Sequence, residues 1–559
     1  MSLLDTASLL LTPNAYKEGK LYSVIPSDGS GDFTFTRATT ATRVNSAGLV
    51  ELVPYNLVSY SEQFDNAYWQ KLNGGIGSIP TVTANTATSP DGTLTADRIQ
   101  LSLNGGTSGS DISYINANVS TTAATFSIYA KSNTTPCTIY FRSGSTVTTI
   151  NITTEWQRFE IYRSGAITVA QFGLRGGSEG GAVNSNTADI SVWGAQLVEG
   201  TNALPYQKTE TRLNIPRLDY SLGGCPNILL EPQRTNLALQ SSSFDNTTTW
   251  TNGIGGTGVN PIRTANTTIS PSGVQDADTI VFDRGAGNTL SDQSIIGQQI
   301  TIATTGTYYF SVWLKATASG DIGKQVFIRC GNAAALQAVT LTANWVRYET
   351  TSSVTAGSNG FQVGSRGTIT TSNSVSVDLW GAQLEAGSYA TSYIGPTTTA
   401  SVTRNQDLCS KTGISSLIGQ TEGTLFVDFV YNHNDFNAAE IISISDATTS
   451  NRVYIGNVFD DNLTCNITSS SSVQFTSATS FALVVGQRYK AALSYKLNDF
   501  VFYVNGSQIA TDNSGTVPLM SRFGFDSGSG ASTFYKPTNA AALWKERLTN
   551  DQLAQLTTI

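Results

Sequence analysis

The sequence predicts an all-β protein built from three β-sandwiches, two of them copies of one jelly-roll design. Three observations carry that expectation. Short segments alternate apolar and polar residues with a period of two. Six blocks of sequence recur in the same order about 180 residues apart. The composition suits many short strands joined by polar turns.

Composition sets the class. Of 559 residues only 13% are charged, against about 25% in ordinary soluble domains. Gly occurs 51 times, yet 23 Phe, 22 Tyr and 8 Trp supply a core. Disordered chains lack such aromatics. At roughly 100–200 residues per domain, three to five domains are expected.

The repeat begins with NLVSYSEQFDNAYW, from Asn56 to Trp69, which matches NLALQSSSFDNTTTW, from Asn236 to Trp250. SPDG from Ser89 matches SPSG from Ser270, and Ala96-Asp97 matches Ala277-Asp278. FSIYAK from Phe126 matches FSVWLK from Phe310, and EWQRFE from Glu155 matches NWVRYE from Asn344. The last pair is ISVWGAQLVEG around Trp193 and VDLWGAQLEAG around Trp380. Residues 126, 128 and 130 are apolar, as are 310, 312 and 314. That alternation marks half-buried strands. Repeated folds of this length with little helical pattern suit a jelly-roll sandwich. Trp69, Trp250, Trp193 and Trp380 are expected in cores, because each sits among apolar neighbours.

Thr42-Arg43-Val44-Asn45, Thr211-Arg212-Leu213-Asn214 and Thr403-Arg404-Asn405 stand at the module boundaries. They read as connector strands that bracket a neighbouring module. The expected layout is 1–50 as an N-terminal segment, 51–210 as the first sandwich, 211–234 as a linker, 235–404 as the second sandwich and 405–559 as a third of different pattern.

The third module opens with GTLFVDFVY from Gly423, apolar at 425, 427 and 429. QRYKAALSYKLNDFVFYVNGSQIA, from Gln487, reads as strand, turn at Leu497-Asn498-Asp499, strand, Asn505-Gly506 turn and strand. Asn-Gly between alternating runs is a strong hairpin signal. Thr549 as N-cap, with Asp551-Gln552 in the first turn, predicts one short terminal helix.

Those residues, Thr424–Phe429, the strands around Tyr503-Val504-Asn505-Gly506 and the closing Leu543–Leu553 segment, resemble the concanavalin-A-like, laminin-G-type sandwich family. The resemblance implies a curved sheet whose concave face or loop rim binds glycans. The whole chain is similar to tailed-bacteriophage virion proteins, including those of crAss-like gut phages. TPNAYKEGKLYSVIPSDGSGDFTFTRATTATRVNSAGLVE, the WGAQLVEG blocks, LNIPRLDY with CPNILLEPQRTNL, and LWKERLTNDQL carry that likeness. It implies a head or tail fibre, with residues 1–50 docking on other virion proteins, and a homotrimer.

Several functions are not expected. A net charge of −8 with scattered Lys and Arg gives no basic footprint for nucleic acid. No run of 18 apolar residues reads as a membrane span. MSLLDTASLLLTPNAY carries Asp5 and no positive opening, a poor signal peptide, so cytoplasmic synthesis is expected; the resemblance to phage proteins implies synthesis in a host and location on the virion. Cys137, Cys225, Cys330, Cys409 and Cys465 are odd in number and far apart, which suits buried reduced thiols.

No enzymatic activity is expected, and no catalytic residue or organic cofactor is assigned. The single histidine, His433, lies in a polar YNHNDFN stretch and reads as a solvated loop residue. Glycoside hydrolases need two carboxylates about 5–9.5 Å apart, but the opening strand carries a lone Asp428. Gly253 to Gly258 spell GxGxxG but lead to Val259-Asn260-Pro261 rather than a helix, so they do not cradle phosphate. Candidate sugar contacts are His433, Asp435, Tyr454 and Tyr535. Asp460, Asp461 and Asp526 are hard-oxygen candidates for calcium, with turn formation as the competing role for Asp460 and Asp461. The expected function is a structural virion protein that adheres to host surface glycans, chiefly through the C-terminal sandwich. The alternatives are a purely structural spacer or decoration protein, and a glycan-degrading tailspike.

Overall fold

The computed structural model describes residues 3–53, 56–179, 182–210, 213–435, 438–458, 461–477 and 481–559. The chain is all-β. Among the described residues, Asn550–Thr557 is the one α-helix. The chain divides into two compact units, one of residues 54–215 and one of residues 1–53 with 216–559.

The unit of residues 54–215 is the first copy of the repeat. Its strands are Gln70–Gly74, Thr81–Ala87, Ala96–Ser102, Ile112–Ser132, Cys137–Ser143, Thr146–Ile152, Gln157–Arg175 and Thr187–Glu199. Ile112–Ser132 and Gln157–Arg175 pair along almost their whole length, with irregular register between Arg163 and Val169. The core switches parity across that bend. Ile115 and Ala117 point inward before it, Ala124, Phe126 and Ile128 after it. Each long strand therefore serves both layers of the sandwich.

The second copy, inside the other unit, shows the same layers with those strands cut in two. One sheet runs Thr251–Gly255, Gln293–Ile302, Gly357–Arg366, Gln325–Cys330, Gln337–Thr340. The other runs Ile262–Thr268, Ala277–Asp283, Ser374–Ala386, Gly306–Ala316, Val346–Val354. Trp250, Phe310, Ile328 and Val363 fill the space between. The GxGxxG stretch is an edge strand and turn, with Gly253 opposite Ile295.

The recurring blocks have a common mechanical reason. In WGAQL, Gly194 and Gly381 adopt φ of +64° and +65°, and the pairing slips by a bulge at that point. Only glycine takes that conformation cheaply. The NL block holds the bulge from the side. Asn56 Nδ2 donates to Ala195 O (2.7 Å) and its Oδ1 accepts from Leu197 N (3.0 Å). Asn236 makes the same pair of bonds to Ala382 O and Leu384 N, each 3.0 Å. Trp69 and Trp250 are core residues. Trp193 and Trp380 are buried too, but on the outside of their sheets. Trp193 packs on Tyr129 and Tyr206, and Trp380 on Trp313, Tyr393 and Val50.

The C-terminal sandwich draws on three separate stretches of chain. Glu422–Tyr431 lies between Gln487–Lys496 and Thr538–Trp544. The Asn505-Gly506 turn has φ of 47° and 80°, as a tight hairpin requires. Leu9–Lys17 pairs with Thr538–Trp544 on one edge and Lys20–Ile25 on the other. Phe33–Thr36 pairs with Leu408–Thr412, and Asn227–Leu229 meets Thr538. Leu9–Lys17, Lys20–Ile25 and Phe33–Thr36 of the N-terminal segment, and Arg217–Asp219 and Asn227–Leu229 of the linker, are thus strands of the third sandwich. Their apolar faces, Leu9, Leu11, Phe33, Phe35 and Ile228, are part of its core. The terminal helix packs Leu553 and Leu556 on the opposite face of the sheet, against Phe426 and Trp544. Thr549 caps it in a capping box with Gln552.

The connector motifs lie where these stretches converge. Thr42–Val44 forms a hairpin with Val50–Leu52, and Val402–Arg404 pairs with Arg234–Asn236. Thr211 and Arg212 lie outside the described residues. Beneath the connectors is a buried ion cluster of Arg37, Arg217, Arg404, Glu231 and Asp407. Asp407 takes Arg37 Nη1 at 2.8 Å on one oxygen and Arg217 on the other. Glu231 takes Arg217 (2.5 Å) and Arg404 (2.8 Å). Burial pushes Glu231 up, but Arg404 and Arg217 outweigh it and hold the carboxyl well below its usual range. Three guanidiniums on two carboxylates tie three distant stretches of chain together.

One of the five thiols departs from the burial expected of them. Cys137, Cys330, Cys409 and Cys465 are buried, but Cys225 is exposed because its turn carries it out of the core. A thiol reagent on native protein is expected to titrate one sulfhydryl, and Cys225→Ser to abolish that reaction. In the ion cluster, Asp407→Ala leaves Arg37 and Arg217 buried without their shared carboxylate. A loss of about 3–5 kcal/mol in denaturant unfolding is expected.

Candidate functional site

The predicted sugar contacts do not form a binding surface. His433 is only 4% exposed, so it is not the solvated loop residue expected. Its ring stacks on Tyr389 at 3.4 Å between centroids. Nε2 donates to Glu440 Oε1 (2.9 Å), and Glu440 also holds Lys536 Nζ at 2.5 Å. Lys536 closes the cluster by donating to the His433 carbonyl (2.8 Å). Burial, then the Lys536 charge, keeps His433 below its ordinary value of 6.5, so the imidazole is neutral. Burial pushes Glu440 up, but the His433 hydrogen bond and Lys536 hold it below the usual range. Asp435 and Tyr535 lie close enough to exchange charge effects with this cluster. Tyr535 is half-buried against the core. Tyr454 is separate, half-buried beneath the Arg452 guanidinium at 4.7 Å.

The metal candidates do not converge either. Asp526 is buried and saturated by Arg522 (Nη1 at 2.8 Å) and by the backbone N–H groups of Gly528 and Gly530. Both its oxygens are bonded and it is shielded from solvent. Asp461 is half-buried, and its carbonyl accepts from Leu483 N (2.7 Å). Asp460 lies outside the described residues. Among the described residues no group of three His, Cys, Asp or Glu gathers to hold a metal. Asp428 is bound by Arg488 (Nε at 2.8 Å) and Asn539 (3.1 Å).

A different surface has the properties of a site, and it occurs twice. In the second sandwich Val326, Ile328, Phe361 and Val363 point into the core. Strand alternation therefore turns Phe327, Arg329, Gln362, Gly364 and Arg366 to the other side of the sheet, where Phe327 and Gly364 are buried and Arg329, Gln362 and Arg366 are half-buried. The register puts Arg329 opposite Gln362 and Phe327 opposite Gly364. In the first sandwich Arg142 is opposite Gln171, and Tyr140 opposite Gly173. Arg175 takes the place of Arg366.

Glycines shape this face. A Cβ on Gly297 would stand 2.9 Å from Gln362 Cγ, and one on Gly364 would stand 2.5 Å from Ile295 Cγ2. Gln362 and Ile295 therefore lie flat across the sheet. A Cβ on Gly360 would meet Gln299 Nε2 at 3.0 Å and Asn332 Oδ1 at 3.1 Å. Amide groups thus cluster at one level around Gly360, with Arg329 Nη1 at 3.4 Å from Gln362 Oε1. Burial, then the nearby Arg366 charge, lowers the Arg329 pKa. In the first copy an amide ladder occupies the same place. Gln171 Nε2 donates to Asn116 Oδ1 (2.8 Å), and Asn116 Nδ2 to Gln70 Oε1 (2.6 Å). A Cβ on Gly173 would meet Tyr114 Cβ at 2.5 Å. Such rows of planar donors and acceptors suit hydroxyl-rich ligands.

The signal for this face was present in the sequence. FRSG at 141–144 matches IRCG at 328–331, and QFGLRG at 171–176 matches QVGSRG at 362–367. Both blocks are short and carry no tryptophan. A second concavity, a polar cleft of 790 Å³ beside Gln100, Cys137 and Asp189, lies at the edge of the first sandwich. Its Asp189 has Ser376 as counterpart, so it is not shared.

No family model and no curated protein matches the sequence. Among solved structures, the chain is similar to the CBM40 of the Ruminococcus gnavus IT-sialidase, there bound to α2,3-sialyllactose. Identity is 14%, coverage 26% of this chain and 91% of that one, and the TM-score 0.23. It is also similar to the CBM22-1–CBM22-2 tandem of Paenibacillus barcinonensis Xyn10C, with 13% identity, 60% and 98% coverage and a TM-score of 0.26. These neighbours are carbohydrate-binding modules; the fold described above rests on this chain's own strand pairing.

The His433 cluster gives a pH test. Its folded pKa is depressed, so its contribution to stability is complete above the ordinary value and lost as pH falls below it. Glu440, also depressed, acts in the same direction at lower pH. The melting temperature is expected to be flat above about pH 7 and to fall below about 6.5. His433→Gln should flatten the first part of that decline, measured by thermal denaturation across pH.

Proposed function

We propose that this chain is a non-enzymatic, glycan-binding protein whose sugar contacts are the outward faces of its two repeated sandwiches. The carrying observation is the matched pair Arg142–Gln171 and Arg329–Gln362, each half-buried beside a glycine and over a buried aromatic residue, Tyr140 or Phe327, on the same outer sheet face. Carbohydrate-binding modules among the structural neighbours are in keeping with this reading. Two weak sites on one chain raise each other's effective concentration, so avidity exceeds single-site affinity. The C-terminal sandwich then serves as the frame that gathers the N-terminal strands and the linker.

The likeness to tailed-phage virion proteins supports placement on a phage particle, with host surface glycans as ligands and a homotrimer as the assembled form. Light scattering behind size exclusion is expected to give three times the 59.3 kDa chain mass; a monomer mass contradicts the trimer. Mass spectrometry of purified particles should find the chain, and its absence contradicts the virion reading.

A glycan array probed with the whole protein tests the binding reading. Binding is expected for some glycans, with no release of reducing ends on prolonged incubation. Gln171→Ala combined with Gln362→Ala should weaken that binding about tenfold, as loss of hydrogen bonds to charged-group-assisted amides would. An array without hits, or binding indifferent to both substitutions, contradicts it.

A further inference from the structure

At two positions the second copy of the repeat carries a residue that destabilises it where the first copy carries one that does not. Both positions line one cleft of the second sandwich, 470 Å³ in volume, between Arg284 and Asn288 on one side and residues 368–371 with Asn373 on the other.

Arg284 is the first of them. Counted from the shared pairs Ala96-Asp97 and Ala277-Asp278, its counterpart is Leu103. The backbone agrees, since Leu103 N donates to Asn186 O (2.8 Å) and Arg284 N to Asn373 O (2.9 Å). Leu103 is a core residue. Arg284 is only 3% exposed, yet among the described residues it makes no ion pair. Its Nε donates to the Ser372 carbonyl (3.3 Å) and its Nη1 to the Gly287 carbonyl, while Nη2 bonds nothing among the described residues. The acids that flank its loop are engaged elsewhere. Asp283 accepts from Gly285 N (2.8 Å), and Asp292 from Thr257 N (2.9 Å) and Thr289 N (2.8 Å). Burying a guanidinium without a carboxylate is unfavourable, and the leucine of the other copy shows that the fold does not require it.

Thr368 is the second. The alignment of QFGLRG with QVGSRG makes Gly177 its counterpart. Both have positive φ, +76° at Gly177 and +65° at Thr368. Glycine adopts that conformation freely, whereas a β-branched residue is strained in it. Thr368 N is held by Asn288 Oδ1 (3.2 Å), and Gly367 N by Asp292 O (2.9 Å). Strain of this kind gathers at ligand sites, where a side chain is worth its conformational penalty. The amides of Asn288 and Asn373 and the hydroxyls of Thr368 and Thr371 complete an exposed polar rim above the buried charge.

We propose that this cleft binds one anionic sugar unit, a hydroxyl-rich ring bearing a single carboxylate or sulfate ester. The oxyanion meets Arg284 through charge-assisted hydrogen bonds, and the ring hydroxyls meet the amides and hydroxyls of the rim. The volume falls within the range of small-ligand sites, about 300–1,000 Å³. The site belongs to the second copy alone, because Leu103 and Gly177 supply neither charge nor hydroxyl. It goes beyond the glycan contacts proposed for the outer faces and uses neither Gln171 nor Gln362.

The test titrates the whole protein calorimetrically with galacturonate, galactose 6-sulfate, galactose and inorganic sulfate. At least one charged sugar is expected to bind about tenfold more tightly than galactose or inorganic sulfate, and the two charged sugars separate carboxylate from sulfate ester. Arg284→Leu, which installs the residue of the first copy, should lose about tenfold of that affinity, and Arg284→Lys less. Thr368→Gly should raise the melting temperature yet weaken the charged sugar about threefold; a purely structural threonine would give the first change without the second. Circular dichroism establishes that each variant folds, and Arg284→Lys with Thr368→Gly carries the test should Arg284→Leu not fold. Gln171→Ala combined with Gln362→Ala should leave this binding unchanged, which separates the cleft from the outer faces. Galactose or inorganic sulfate bound as tightly as the charged sugars overturns the inference, as does an affinity indifferent to the Arg284 and Thr368 substitutions, or no binding at all. Loss of the binding in the glutamine variant alone assigns the charged sugars to the outer faces and overturns it as well.

Discussion

The account depends on one constraint, the register between Gln325–Cys330 and Gly357–Arg366 and its twin between Cys137–Ser143 and Gln157–Arg175. Strand side chains alternate, so a slip of one residue would exchange inner and outer faces. In the register observed, Val326, Ile328 and Cys330 fill the core while Arg329 stands outside beside Gln362. The core of each sandwich therefore fixes the arginine and the amide as firmly as it fixes its own packing. A site on paired strands is more rigid than one on loops. That suits recognition in which little is reorganised on binding.

The bulges at Gly194 and Gly381 belong to the same logic. Each sits at the WGAQL block and is clamped by Asn56 or Asn236, whose amide satisfies both a donor and an acceptor left over by the slip. Unpaired backbone groups in a buried position are costly. The asparagine is therefore part of what holds the register, although it stands some 140 residues away in sequence. In the C-terminal sandwich the equivalent task falls to charge. Arg37, Arg217, Arg404, Glu231 and Asp407 come from the N-terminal segment, the linker and the connector, and they hold those stretches on the third core.

Much of the fold was legible because it is written locally. Alternation located the strands, Asn505-Gly506 located a hairpin, and Thr549 with Gln552 located the helix. The order of the blocks located the duplication. What was not legible depends on long-range pairing. Nothing near Leu9 announces that it will pair with Leu543. Local pattern alone therefore sets the first fifty residues apart as a separate piece. His433 misled for a similar reason. Its neighbours in sequence are polar, but Tyr389, Glu440 and Lys536 arrive from three other stretches and bury it. The outer-face arginines were readable, since FRSG and IRCG align, but short blocks without tryptophan attract less notice than long ones.

The most direct measurement is a crystal structure of the whole protein with an oligosaccharide from the glycan array bound. Sugar density is expected on the outer sheet faces, with hydroxyls on Gln362 and Gln171. Density confined to the C-terminal sandwich or to the cleft beside Asp189, with both faces bare, would contradict it.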